Sequence, residues 1–242
     1  KLYRCNTLAV NSWSRLLSKI DNRINKVSKN IKSIMKNDLK YIKENWPKNL
    51  PNGIIHCDLF VDNIFFHKNK FYGFIDFYFS SNDFLSYELA TCINALCFKK
   101  RKNKFILDKI RSSKLIKGYE TIRKLTKKEK LSFSTVCRGS ALRYLLTRAY
   151  DYLNTPKNAV IKKKDPKEYV QKLNSLPSVD EAQVQELMRQ ATAPLNREDG
   201  SNPYLIQEKL QQMMQRCVDI VRNAEDLQKG LDELEELREE TK

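Results

Sequence analysis

The 242 residues carry 45 Lys and Arg against 29 Asp and Glu, a formal charge of +16, with two His and six Cys. Cysteines at 5, 57, 92, 97, 137 and 217 form no Cys-x-x-Cys pair and no metal spacing, which with two histidines argues against a zinc centre. No apolar run is long enough to span a bilayer and no signal peptide is expected, so the thiols read as reduced, small apolar residues of a cytoplasmic protein.

The charge is unevenly spread. Residues 1–174 hold 37 Lys and Arg against 14 Asp and Glu, whereas residues 175–242 hold 8 against 15. All eleven Phe precede residue 134, and eight of the nine Gln follow residue 174. Two composition regimes meeting near Asn174-Ser175 imply a domain fusion or an artificial join. The basic excess does not mark a specific nucleic-acid binder. Lys26, Lys29, Lys32 and Lys36 are spread over polar helix faces instead of forming a stripe interleaved with aromatics.

In chain order, residues 11–45 place Trp13, Leu16, Leu17, Ile20, Ile24, Val27, Ile31, Ile34, Met35, Leu39 and Ile42 at helical spacing. The pattern predicts two helices with a break near Asn37-Asp38. Gly53 to Ile55 then reads as a short strand running into His56-Cys57-Asp58. Ile64 to Phe66 leaves the loop as a strand, His67 to Lys70 turns, and Phe71 to Ile75 returns, so a hairpin carries Asp76 back beside Asn63. An Asp, an Asn five residues on and a second Asp after the hairpin suit phosphoryl transfer. Asp58 supplies an anionic acceptor for an attacking hydroxyl, while Asn63 and Asp76 supply oxygen ligands for a hard cation. His56 is expected to pack beneath the turn and fix the backbone that aims Asp58.

Phe84 to Phe98 is apolar nearly all round and predicts a buried central helix, ended by Lys99 to Lys102. Helices are predicted at about 104–111, 114–124, 127–131 and 134–154, with a short tail helix from Pro166 to Leu173. Arg138, Arg143 and Arg148 are candidates for substrate or phosphate contact. Pairing with Asp151 or exposure to solvent is the plainer alternative for each.

Gly53 to Asn63, Ile75 to Phe79 and Asn82 to Phe98 resemble the aminoglycoside-phosphotransferase-like kinases, and among them the homoserine kinases of that fold. Asn45 to Pro51, Arg138 to Arg148 and Asp151 to Pro156 extend the similarity, which covers about 1–173. The resemblance implies a protein-kinase-like carboxyl-side lobe, mainly α with a small β-hairpin. It implies Asp58 as catalytic base, Asn63 and Asp76 as Mg2+ ligands and Asp83 as an acid bracing the loop. ATP and homoserine would be the substrates of the complete enzyme, in threonine biosynthesis. Choline, aminoglycosides or sugars are alternative acceptors. Val61 stands where the family usually has Pro, and Cys57 where Gly or Ala is usual.

A kinase also needs a glycine-rich loop over the phosphates and a strand-borne Lys. Glycines at 53, 73, 118, 139, 200 and 230 form no such loop, and the chain opens at Lys1 without Met. The expectation is therefore a kinase lobe lacking its amino-terminal lobe, inactive alone, whose apolar faces need that lobe or another protein surface as cover.

After a junction at 174–177 the pattern restarts. Ser178 to Glu181 reads as a capping box, and helices are predicted from Asn202-Pro203 and Asn223. Asn202 to Met214 and Val218 to Leu227 resemble the carboxyl-terminal helical domain of succinate dehydrogenase and fumarate reductase flavoprotein subunits, giving a three-helix module at 178–242. No FAD is expected, and Met213-Met214 reads as core. The competing reading is a non-catalytic helical scaffold or fusion fragment with that flavoprotein-like tail.

Overall fold

A computed structural model describes residues 3–176 apart from 69, 157, 161 and 162. The capping box at 178–181, the helices expected from 202 and 223, and Met213-Met214 lie outside the described residues. Residues 3–60 and 77–176 form one compact unit, and residues 61–76 belong to a second.

The first unit is built on one long helix. Its elements are α1 (Trp13–Ser18), α2 (Ile31–Asn45), β1 (Asn52–Ile55), β4 (Ser81–Phe84), α3 (Leu85–Leu96), β5 (Phe98–Arg101), β6 (Lys104–Leu107), α4 (Lys109–Ile122), α5 (Lys127–Asn154) and α6 (Lys167–Ser175). The second unit contributes β2 (Ile64–His67) and β3 (Lys70–Phe74). The described residues form three two-stranded antiparallel sheets, β1 with β4, β2 with β3, and β5 with β6. Helix α5 packs against α1, α2, α3 and α6, so its Val136, Ala141, Leu142, Leu145, Leu146 and Ala149 are fully or almost fully buried.

Three sequence expectations change. The helical stretch at 11–45 breaks between α1 and α2, not at Asn37-Asp38. Asp21 accepts the Arg23 amide to start a 3-10 turn, and Asn30 at φ 61° begins α2 from the left-handed region. Asp38 stays helical because its carboxylate is paired, buried, with Arg138 of α5. The helix expected at 104–111 is instead β6, followed by α4. Lys102 and Asn103 both take positive φ and turn the chain back, and Asp108 then caps α4 by accepting the Ile110 and Arg111 amides. The helices expected at 127–131 and 134–154 are one continuous α5.

Helix α5 starts at a capping box. Thr126 Oγ1 accepts the Glu129 amide at 3.2 Å, and Glu129 Oε2 accepts the Thr126 amide at 2.8 Å. The Glu129 side chain is sealed from solvent and also pairs with Arg123 at 2.5 Å. Burial pushes its pKa up, but Arg123 and Thr126 outweigh burial and hold it below the ordinary 4.5. A carboxyl depressed in the folded state stabilises above its unfolded pKa, and that contribution is lost as pH falls through the folded value. The stability gap between wild type and E129Q is therefore expected to be full near neutral pH and to close as pH drops below 4.5, measured by urea unfolding across pH.

Gly139, midway along α5, lets Trp46 lie against the helix; an added methyl would overlap the Trp46 ring and come within 3.2 Å of Trp13 Cη2. Trp46 sits among aromatics, edge-on to Trp13 at 5.5 Å and stacked on Phe84 at 6.2 Å. Helix propensity alone favours Ala by about 1 kcal/mol. Overpacking typically costs about 1–3 kcal/mol, so G139A is expected to destabilise on balance, read as a lower urea midpoint.

Candidate active site

Strand β1 delivers His56-Cys57-Asp58 out of its carboxyl end, with Ile55 paired to Ser81 and Gly53 to Asp83 of β4. The turn passes through Cys57 at φ 67°, a left-handed conformation that a side chain resists. Neighbouring helices hold it there. The Cys57 amide donates to Glu88 Oε2 of α3 at 2.8 Å, and its carbonyl accepts the Tyr144 hydroxyl of α5 at 2.9 Å. The Cys57 thiol lies 3.7 Å from Asn6 Nδ2, which also donates to Asp83 Oδ2 at 2.6 Å. Burial pushes the Cys57 thiol up to about 11, so it is protonated and unreactive at neutral pH.

Asp58 follows with its side chain 22% exposed. Its amide donates to His56 Nδ1 at 3.3 Å, and the His56 ring lies 4.7 Å from Phe77. The Asp58 carboxylate faces two groups of α5: Arg143 Nη1 at 3.4 Å and the Tyr144 hydroxyl at 3.2 Å. Burial holds the Tyr144 pKa well above its ordinary value, so the phenol stays a donor. Burial likewise raises Glu88, although the Cys57 amide opposes it.

In the second unit the Ile75 amide donates to the Asn63 carbonyl at 3.1 Å, and Ile64 pairs with Phe74. Asn63 and Asp76 thus stand at the open end of the β2–β3 hairpin, Asn63 buried and Asp76 exposed at φ 61°. An amide oxygen and a carboxylate form a donor set that suits a hard cation taking its other ligands from water or phosphate. Among the described residues no cluster of three or more His, Cys, Asp or Glu offers an all-protein cage.

The three arginines proposed from sequence divide sharply. Arg138 pairs with Asp38 and donates to the Leu173 and Leu176 carbonyls at 3.3 and 3.4 Å. Arg148 pairs with Glu168 at 2.6 Å, not with Asp151. Arg143 alone lies at Asp58. Three residues of this neighbourhood were not singled out by sequence: Asn6, Glu88 and Tyr144. Glu88 had a signal, the one charged residue in the run Leu85 to Leu96. Asn6 and Tyr144 had none beyond Tyr144's place next to Arg143.

Residues 28–125 match the phosphotransferase enzyme family. Residues 207–242 match the fumarate reductase flavoprotein C-terminal family, a shorter stretch than the 178–240 read from sequence. The chain is similar to a homoserine kinase of Sinorhizobium fredii, 45% identical over 172 residues, 71% of this chain and 52% of the relative. It is 44% identical over 172 residues to the homoserine kinase of Rhizobium meliloti, again 71% and 52% of the two chains. The homoserine kinase of Xanthobacter autotrophicus is 42% identical over 180 residues, 74% of this chain and 55% of the relative. The chain therefore spans about half the length of the curated relatives it matches. No helix among the described residues is long and apolar enough to cross a membrane.

Replacing Glu88 by Ala leaves the buried Cys57 amide without its acceptor. Orphaning a buried donor costs about 1–3 kcal/mol, so E88A is expected to lose about that much unfolding free energy in urea titration, and E88Q less.

Proposed function

We propose that this chain supplies the acceptor-activating part of an ATP-dependent kinase that phosphorylates the hydroxyl of homoserine. The observation that carries this reading is Asp58, a part-exposed carboxylate on a turn buttressed by Glu88 and Tyr144, with Arg143 beside it. The similarity to homoserine kinases over the same residues supports the acceptor.

In this reading Asp58 accepts a hydrogen bond from the alcohol, orients its lone pair toward the γ-phosphoryl group of ATP and takes the proton as the new O–P bond forms and the bond to the departing ADP breaks. Tyr144 and the His56 ring keep Asp58 from rotating away, since a donor approaches the carboxylate and the backbone amide is tied at once. Asn63 and Asp76 would hold magnesium, which when bound neutralises charge on the phosphates. Asp83 acts at a distance, fixing Asn6 against Cys57. We assign residues 1–173 to a kinase-like carboxyl-side lobe and 178–242 to a separate helical module.

The 242 residues contain no glycine-rich stretch to cover nucleotide phosphates. The test is a chimera in which the part of the S. fredii enzyme that this chain does not match is fused to it. ATP-dependent formation of O-phosphohomoserine, followed by 31P NMR, is expected in the chimera and expected to be far weaker with the chain alone. D58A should lower turnover by roughly 10²–10⁴-fold with unchanged helical content. An active chimera whose rate ignores D58A would remove Asp58 from the chemistry.

A further inference from the structure

Resting on the phosphotransferase reading of Asp58, we propose that Arg143 is an oxyanion seat beside it, taking the carboxylate of the alcohol substrate. Helix α5 carries Arg138, Arg143 and Arg148 at five-residue intervals, and the contrast among them is the starting point. Arg138 has a carboxylate and two carbonyls, and Arg148 has a close carboxylate. Among the described residues Arg143 has one carboxylate contact, Asp58 at 3.4 Å, longer than the roughly 2.7–2.9 Å of a strong charge-assisted bond. Its side chain is only 3% exposed, and its Nε has no hydrogen-bond partner despite being sealed from water. Its other close neighbours are the rings of Tyr144 at 4.1 Å and Phe79 at 5.4 Å. Rings attract the cation but leave most of its five N–H donors unused.

A guanidinium cannot shed its proton to relieve such a position. A buried cation with a single long contact is a costly arrangement, and it sits where the substrate hydroxyl must come. A hydroxyl bonded to Asp58 lies within about 6 Å of Arg143 Nη1, the sum of a normal hydrogen bond and the 3.4 Å contact. Homoserine carries its carboxylate three carbons from its hydroxyl oxygen, a spacing that reaches from one group to the other. Phosphoryl oxygens share the chemistry of a carboxylate toward a planar guanidinium, so nucleotide must be tested beside acceptor.

The experiment is calorimetric titration of the 242-residue chain with L-homoserine, with 3-aminopropan-1-ol, which keeps the hydroxyl and amine but lacks the carboxylate, and with Mg-ATP. Homoserine is expected to bind at least tenfold more tightly than the amino alcohol. R143Q should weaken homoserine by roughly ten- to hundredfold, the worth of a hydrogen bond to a charged group, leaving the amino alcohol unchanged. R143K should recover part of the loss. Weakened Mg-ATP with unchanged homoserine would overturn the carboxylate assignment and give Arg143 to phosphoryl oxygens instead. If R143Q does not fold by circular dichroism, the wild-type comparison decides, and equal affinity for the two alcohols overturns the proposal. So does an R143Q chain that binds every ligand as wild type does, or a wild-type chain that binds neither homoserine nor Mg-ATP. A silent chimera together with retained homoserine preference in this titration would sink the phosphotransferase reading and leave the seat standing.

Discussion

The left-handed turn at Cys57 is the constraint on which the first unit's chemistry depends. A side chain at φ 67° is unfavourable by itself, of order 1–3 kcal/mol, and persists only where surroundings over-determine it. Here side chains from two different helices, half-buried Glu88 and buried Tyr144, take its amide and its carbonyl. Both helices pack on each other, with Thr91 facing Ser140 and Asn94 donating to the Cys137 carbonyl, so the two anchors are fixed relative to one another. The direction in which Asp58 points is thus decided by helix packing well beneath the loop. That is a firmer foundation than the loop's own hydrogen bonds could provide.

Much of the candidate site was legible because its signals are local. The spacing from Asp58 to Asn63 and the polar turn between two apolar runs are short-range features, and the hairpin forms as they require. The buried character of Leu85 to Leu96 likewise followed from a run with almost no polar side. What could not be read were pairings between distant residues. Asp38 looks like a helix breaker until Arg138, a hundred residues later, neutralises it. Lys104 to Leu107 carries apolar residues that fit either helix or strand, and the two positive-φ residues before it settle the matter. Tyr144 is one aromatic among eleven tyrosines; only folding places its hydroxyl at Cys57.

The arginines make the same point about chemistry. Sequence supplied three equivalent candidates on one helix. Burial and partners then sorted them, since two brace α6 and α2 and one faces the loop. Residue type sets what a side chain can do, while neighbours decide whether its capacity is already used.

Helix α6 illustrates how far such bracing reaches. Lys172, almost wholly buried, donates to the Asn94 carbonyl of α3 and pairs with Glu168, which also holds Arg148. Gln171 accepts the Phe105 amide of β6, and the Leu173 and Leu176 carbonyls receive Arg138. Residues 168–176 therefore tie α6 to α3, to α5 and to the β5–β6 hairpin through polar groups. Any attempt to isolate a minimal catalytic fragment must keep this late segment, because cutting ahead of it would leave the buried Arg148 guanidinium without Glu168 and take two carbonyl acceptors from Arg138.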